Sequence, residues 1–123
     1  MRDHKKLKAF QLADDLAVAV YKATMSFPSE ERFGLSIQMR RAAVSIASNI
    51  VEGSARHTLT DYIHFLDIAY GSACELEYQV SLAHRLGYLD ESALASLGTA
   101  CSETSRTLNA LIRSLRQRHD GAP

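Results

Sequence analysis

One run of residues limits the choice of fold more than any other. Tyr62, Leu66, Ala69, Ala73, Leu76, Val80 and Ala83 follow one another in steps that alternate four and three. This spacing keeps small and apolar side chains on one face of a helix. Its mean period near 3.5 residues is the seam of helices packed side by side. A strand would need a period of two. The last quarter repeats the signal: Leu94, Cys101, Leu108 and Leu115 are seven apart, as are Leu97, Thr104 and Leu111. Upstream, Leu35, Met39, Ala42, Ile46 and Ile50 make a third line, and Leu12, Leu16, Ala19 and Ala23 a fourth.

The breaks between these lines predict helices over about 8–26, 30–53, 59–86 and 91–117, with a polar, frayed tail over 118–123. Pro28 disfavours helix at the residue before it. Ser29 is the expected N-cap of the second helix, and Glu30 and Glu31 put negative charge at its positive end. Gly53 is expected just past that helix, in the left-handed conformation glycine adopts without steric cost. "TLTD" reads as a capping box opening at Thr58, with Asp in place of Glu. Gly87 is the expected stop of the third helix, and Asp90 the next N-cap. Helices of this length span about 30–40 Å. Short breaks force neighbours antiparallel, and seams near 3.5 favour shallow crossings. The predicted fold is all-α, an antiparallel up-down-up-down four-helix bundle forming a single domain over 1–123.

Composition agrees. The 123 residues suffice for one core without metal or disulfide staples. Charged residues make up 23% of the chain, unlike a disordered one. The N-terminal "MRDHKKLKAF" has basic residues without an apolar run behind them, so no secretory signal is expected, and charges interrupt every window long enough to span a membrane. Cys74 and Cys101 fit no metal spacing and read as free thiols of a cytoplasmic protein.

The net charge is zero, but the charge is unevenly spread. Arg2, Lys5, Lys6 and Lys8 face only Asp3 in the first eight residues. Arg113, Arg116 and Arg118, with Arg106, face only Asp120 near the end. Residues 58–91 are acidic. An antiparallel bundle brings both chain ends to one end, so the basic termini are expected to form one cationic patch, the kind of surface phosphate contacts need.

The second helix also carries a polar line. Gln38, Arg41, Ser45, Asn49 and Glu52 lie roughly 90° round the cylinder from Met39 and Ile46. That is the flank of the seam, half-buried in a bundle and wholly buried if another subunit packs there. The third helix has a matching line that includes Asp61, Phe65, Ile68, Ser72, Glu75 and Gln79, with Gly71 and Ser72 small enough for close helix approach. Glu75 could pair with Arg40 or Arg41. Two contact faces on one helix suggest an oligomer, and a single wide core stripe accounts for the same pattern.

Enzyme signatures are thin. A di-iron bundle needs Glu-x-x-His on two helices, and Asp61 with His64 is the nearest pattern present. Arg113 and His119 fit the loose spacing of HEPN ribonucleases. No Gly-rich phosphate loop and no Gly-x-Ser-x-Gly occurs. No catalytic residue, metal, cofactor or small-molecule substrate is expected.

"FPSEERFGLSIQMRRAAVSIASNIVEGSAR" and "DYIHFLDIAYGSACELEYQVSLAHRLGYLD" together resemble the four-helix-bundle family of proteins encoded by intervening sequences in bacterial 23S rRNA genes. The resemblance covers about residues 10–115. Val51 and Ala55 depart from the alanine and glycine usual there. The resemblance implies a cytoplasmic homopentamer with a central channel and no known enzyme activity. Carried over by position, it marks Gln38, Arg40, Arg41, Ser45, Asn49, Glu52, Gly53, Phe65, Leu66, Gly71, Ser72, Glu75 and Leu76, read as a structural network at helix or subunit contacts. A related branch, the accessory protein of diversity-generating retroelements, is strongly basic and binds nucleic acid and a reverse transcriptase. This chain's neutral charge departs from that branch. The expected function is a non-enzymatic homo-oligomeric scaffold whose partners are further copies of itself and RNA, or a nucleic-acid-binding protein, held at Arg2, Lys5, Lys6, Lys8, Arg113, Arg116 and Arg118. The alternatives are a protein-interaction module without nucleic acid and, more remotely, a HEPN-like ribonuclease.

Overall fold

A computed structural model describes residues 2–120. A 3-10 turn at His4–Lys6 leads into α1 (Lys8–Thr24); a second at Ser29–Glu31 precedes α2 (Leu35–Ser54); α3 (Leu59–Arg85) and α4 (Glu91–Asp120) follow. Contacts join α1 to α2, α2 to α3, α3 to α4 and α4 back to α1, which closes a four-helix bundle with its core along the axis. The predicted seams of α2, α3 and α4 supply most of that core. In α1 the predicted line needs correction, since Leu12, Ala19 and Ala23 are only half-buried and Ala9, Ala13 and Val20, in steps of four, three and four with Leu16, take the core positions. Every member of the α3 line from Tyr62 to Ala83 is buried, as are Met39, Ala42, Ile46 and Ile50 of α2 and Leu97, Cys101, Thr104, Leu108 and Leu115 of α4. The expected tail is shorter than predicted, because α4 continues to Asp120. Residues 121–123 lie outside the described residues.

Three cap signals act as their chemistry dictates. Thr58 accepts from the Asp61 N–H, Asp90 accepts from the Ala93 N–H, and Gly87 ends α3 with φ +83°. Two further expectations need correction. Helix α2 starts at Leu35, five residues after Glu30, so Ser29 is not its N-cap. Residues 30–33 offer no apolar stripe to bury, since Phe33 is 88% exposed. Glu31 caps α2 from outside instead. Its Oε1 accepts from the Leu35 N–H at 3.0 Å, and its Oε2 accepts from the Tyr88 hydroxyl at 2.9 Å, tying the first connection to the third. Both bonds hold the Glu31 carboxyl below its usual value, the Leu35 N–H first and Tyr88 second.

Gly53 is the second correction. It lies inside α2, and Gly87 is the one glycine with a positive φ among the described residues. A Cβ at Gly53 would sit 3.0 Å from Phe65 Cβ and 3.2 Å from both Tyr62 Cδ1 and Tyr62 O. Glycine serves here for close approach of α2 to α3.

Candidate functional site

The adjacent arginines of α2 part company. Arg40 turns toward α1, where its Nε donates to Thr24 Oγ1 at 2.8 Å and its guanidinium covers the Tyr21 ring at 4.7 Å. The buried Thr24 hydroxyl in turn donates to Val20 O at 2.8 Å. Arg41 is exposed on the other flank. Glu75 is exposed and forms no ion pair with either arginine among the described residues, so the expected pairing is absent. A step of one residue turns about 100° round a helix, which sends the two arginines to different sides of α2.

The rest of the polar line divides in two. Ser45 and Ser72 join α2 to α3 through their hydroxyls at 2.9 Å, and Asn49 Nδ2 donates to Ser45 O and Oγ at 2.8 and 3.0 Å. Gln38 and Glu52 are exposed; Glu52 pairs with Arg56 one turn on, at 2.8 Å. Phe65 is half-buried beneath the Arg56 guanidinium, 5.2 Å from its ring centroid. The line is therefore an intrachain contact at Ser45, Asn49 and Ser72 and a solvent-facing strip elsewhere in the single chain.

The two basic termini meet at one end of the bundle. Arg2 and Arg118 line the same cleft of about 320 Å³ with Leu59, Tyr62 and Leu115. Arg2 is half-buried: its Nη1 donates to Arg56 O at 2.8 Å, and its guanidinium lies 4.1 Å above the Tyr62 ring. Burial pushes the Tyr62 phenol up, with Ser54 and the Arg2 charge pulling against it. Lys5 and Lys6 sit exposed on the first 3-10 turn, and Lys8 exposed at the start of α1. Two members of the predicted patch have other neighbours. Arg116 is ion-paired with Asp67 of α3. Arg113 lies by Tyr70, whose phenol Cys74 pushes up while the arginine opposes the shift. Arg113 and His119 are six residues apart, hence about 120° apart round α4 and about 9 Å along it. They do not share a face, as a joint grip on one scissile phosphate requires.

The family model of 23S rRNA-intervening sequence proteins matches residues 5–110. The chain belongs to that family. A solved structure of a protein with unknown function from the S23 ribosomal protein family of Bacteroides thetaiotaomicron VPI-5482 has the same fold. It is 25% identical, with a TM-score of 0.79, over 85% of this chain and 95% of that one. No curated protein matches. Neither the family description nor the solved relative points to catalysis. Among the described residues, no three His, Cys, Asp or Glu side chains are grouped closely enough to hold a metal ion, and no helix is long and apolar enough to cross a membrane.

Sequence reasoning missed two features of this family member. Arg56 and His57, on the α2–α3 turn, line a cleft of about 650 Å³ with Arg2 and Ala55. No charge run marks them, because they reach the termini only through the fold. The second feature is an apolar groove of about 630 Å³ between α1 and α2, lined by Ala17, Val18, Tyr21, Met25 and Val44. Met25 is 77% exposed there. The spacing of Val18, Tyr21 and Met25, just off the Leu16 and Val20 line, was the available signal.

Proposed function

We propose that the protein is a non-enzymatic homo-oligomeric scaffold, a cytoplasmic single-domain bundle that holds RNA at the end where its termini converge. The observation that carries the RNA reading is the shared cleft of Arg2 and Arg118, with Lys5 and Lys6 close by in sequence. A neutral chain needs such local concentration, because phosphate binding responds to local cation density rather than to net charge. The family description, naming an intervening sequence of 23S rRNA, supports RNA over DNA as the nucleic acid. Self-association draws support from the exposed apolar groove between α1 and α2, since contiguous apolar surface on a small protein marks interaction sites. Family resemblance makes five the expected number of copies.

Anisotropy titration of a labelled RNA across a salt series tests the first part. Affinity falls with salt, and reversing Lys5, Lys6 and Arg118 to glutamate weakens it. A flat titration at low salt refutes RNA binding. Light scattering tests the second part; a monomer at micromolar concentration refutes it. The same apolar groove favours a second reading, a module that binds another protein and no nucleic acid. Under that reading Met25→Glu abolishes partner capture and RNA titrations stay flat.

A further inference from the structure

We infer that the cleft between Arg2, Arg56 and His57 is a seat for an RNA phosphate, and that these residues hold the backbone where Arg113 and Arg116 do not. The inference rests on the RNA reading above and assigns its contacts.

Three cationic or protonatable side chains and the small Ala55 surround this cleft. A helix C-terminus ordinarily repels anions through its open carbonyls. At the end of α2 that repulsion is partly offset, because two of the last four carbonyls and one in the turn are engaged. Glu52 O accepts from the Ala55 N–H and from Arg56 Nε, Gly53 O accepts from the Arg56 N–H, and Arg56 O accepts from Arg2. The cleft lining then includes two guanidinium groups and an imidazole.

Arg2 is also pre-organised. Its stack on Tyr62 and its bond to Arg56 O fix the plane of the guanidinium while occupying few of its five donors. A fixed fork loses less entropy when it engages a phosphate. Because Arg2 lines this cleft and also the one it shares with Arg118, the two clefts are contiguous at one side chain. The arrangement is a short track for successive phosphates, from Arg118 past Arg2 to Arg56 and His57. Two carboxylates work against it. Glu52 holds Arg56 at 2.8 Å, and Asp3, whose carboxylate accepts from the Lys5 N–H, lines the second cleft.

That opposition supplies a test which a purely structural role for these residues would not pass. A labelled uridine oligonucleotide is titrated by anisotropy over a salt series, with circular dichroism confirming each fold. Arg56→Gln with His57→Gln weakens binding about tenfold or more, and the salt slope drops by about one. Glu52→Gln releases Arg56 from its carboxylate and tightens binding by about two- to fivefold, the range of an exposed ion pair. If the wild type binds but neither variant moves affinity or slope, while Lys5→Glu with Lys6→Glu does, the cleft is not the seat and the RNA reading stands. If the wild type binds no RNA, that reading falls and the assignment falls with it.

Discussion

Substituting alanine for glycine inside a helix ordinarily stabilises it, by about 1 kcal/mol, because glycine loses more backbone entropy on folding. At Gly53 the sign should reverse. The added Cβ meets Phe65 Cβ at 3.0 Å, Tyr62 Cδ1 at 3.2 Å and the Tyr62 carbonyl oxygen at 3.2 Å. None of these is the far end of a flexible chain; one is backbone and the other two lie on side chains wedged between α2 and α3. Relief requires the helices to separate by a few tenths of an ångström along the most extensive contact in the bundle. Overpacking of this kind costs about 1–3 kcal/mol, so Gly53→Ala should be destabilising by about 1 kcal/mol net. Gly71 provides the contrast. It too lies inside a helix, and a Cβ there meets nothing within 4 Å. Gly71→Ala should stabilise the chain by about 0.5–1 kcal/mol. Urea midpoints at equal m-value, measured at one low protein concentration, read both. A Gly53→Ala variant as stable as wild type would refute close approach as the reason for glycine at this position. The Gly71 variant bears on the oligomer as well: a midpoint that falls below wild type as protein concentration rises would mean a second copy packs on that bare face.

Thr24→Val removes the acceptor for Arg40 Nε from a buried site and should cost about 1–3 kcal/mol in chemical denaturation, whereas Thr24→Ser, which keeps the hydroxyl, should cost less. The Glu31 carboxyl is held below its usual value of 4.5, so its contribution is complete above that pH and disappears as pH falls through the lowered value. Wild type should therefore lose more stability between pH 6 and pH 3 (~3 units) than Glu31→Gln, whose side chain does not titrate, and parallel curves would remove Glu31 from the acid response. Burial first, and the Glu77 charge second, push the Cys101 thiol up to about 12, while Cys74 is exposed. A thiol reagent at pH 8 should label Cys74 in the folded protein and reach Cys101 only after denaturant is added, as a ~1:1 split between native and unfolded labelling.

The core was readable because burial follows a period, and a period is a property of the sequence alone. Tyr62 to Ala83 needed no knowledge of any neighbour to be placed on one face. Thr58, Gly87 and Asp90 were readable for a related reason: a cap acts on its own helix, within about three residues. Gly53 was not. A glycine followed by Ser, Ala and Arg fits a left-handed stop and a close contact equally well, and the choice depends on Phe65 and Tyr62 across the interface. The same holds for Arg40 and Arg41. They leave the helix on different flanks, and which flank meets α1 and which meets α3 depends on whether successive helices follow one another to the left or to the right round the bundle axis, which a seven-residue repeat does not encode.

Charge shows the limit most clearly. A run of basic residues near a terminus states how much charge is there and says nothing of how much is already engaged. Arg116 is held by Asp67, forty-nine positions away, while Arg2 is turned inward by Tyr62 and the end of α2. Arg56 and His57, which no charge run marks, join Arg2 around one cleft. The cationic surface is therefore assembled by the turn between α2 and α3 as much as by the termini. For a chain of zero net charge this matters, because its capacity to hold a polyanion depends on which few cations are left facing outward together, and that is settled by packing.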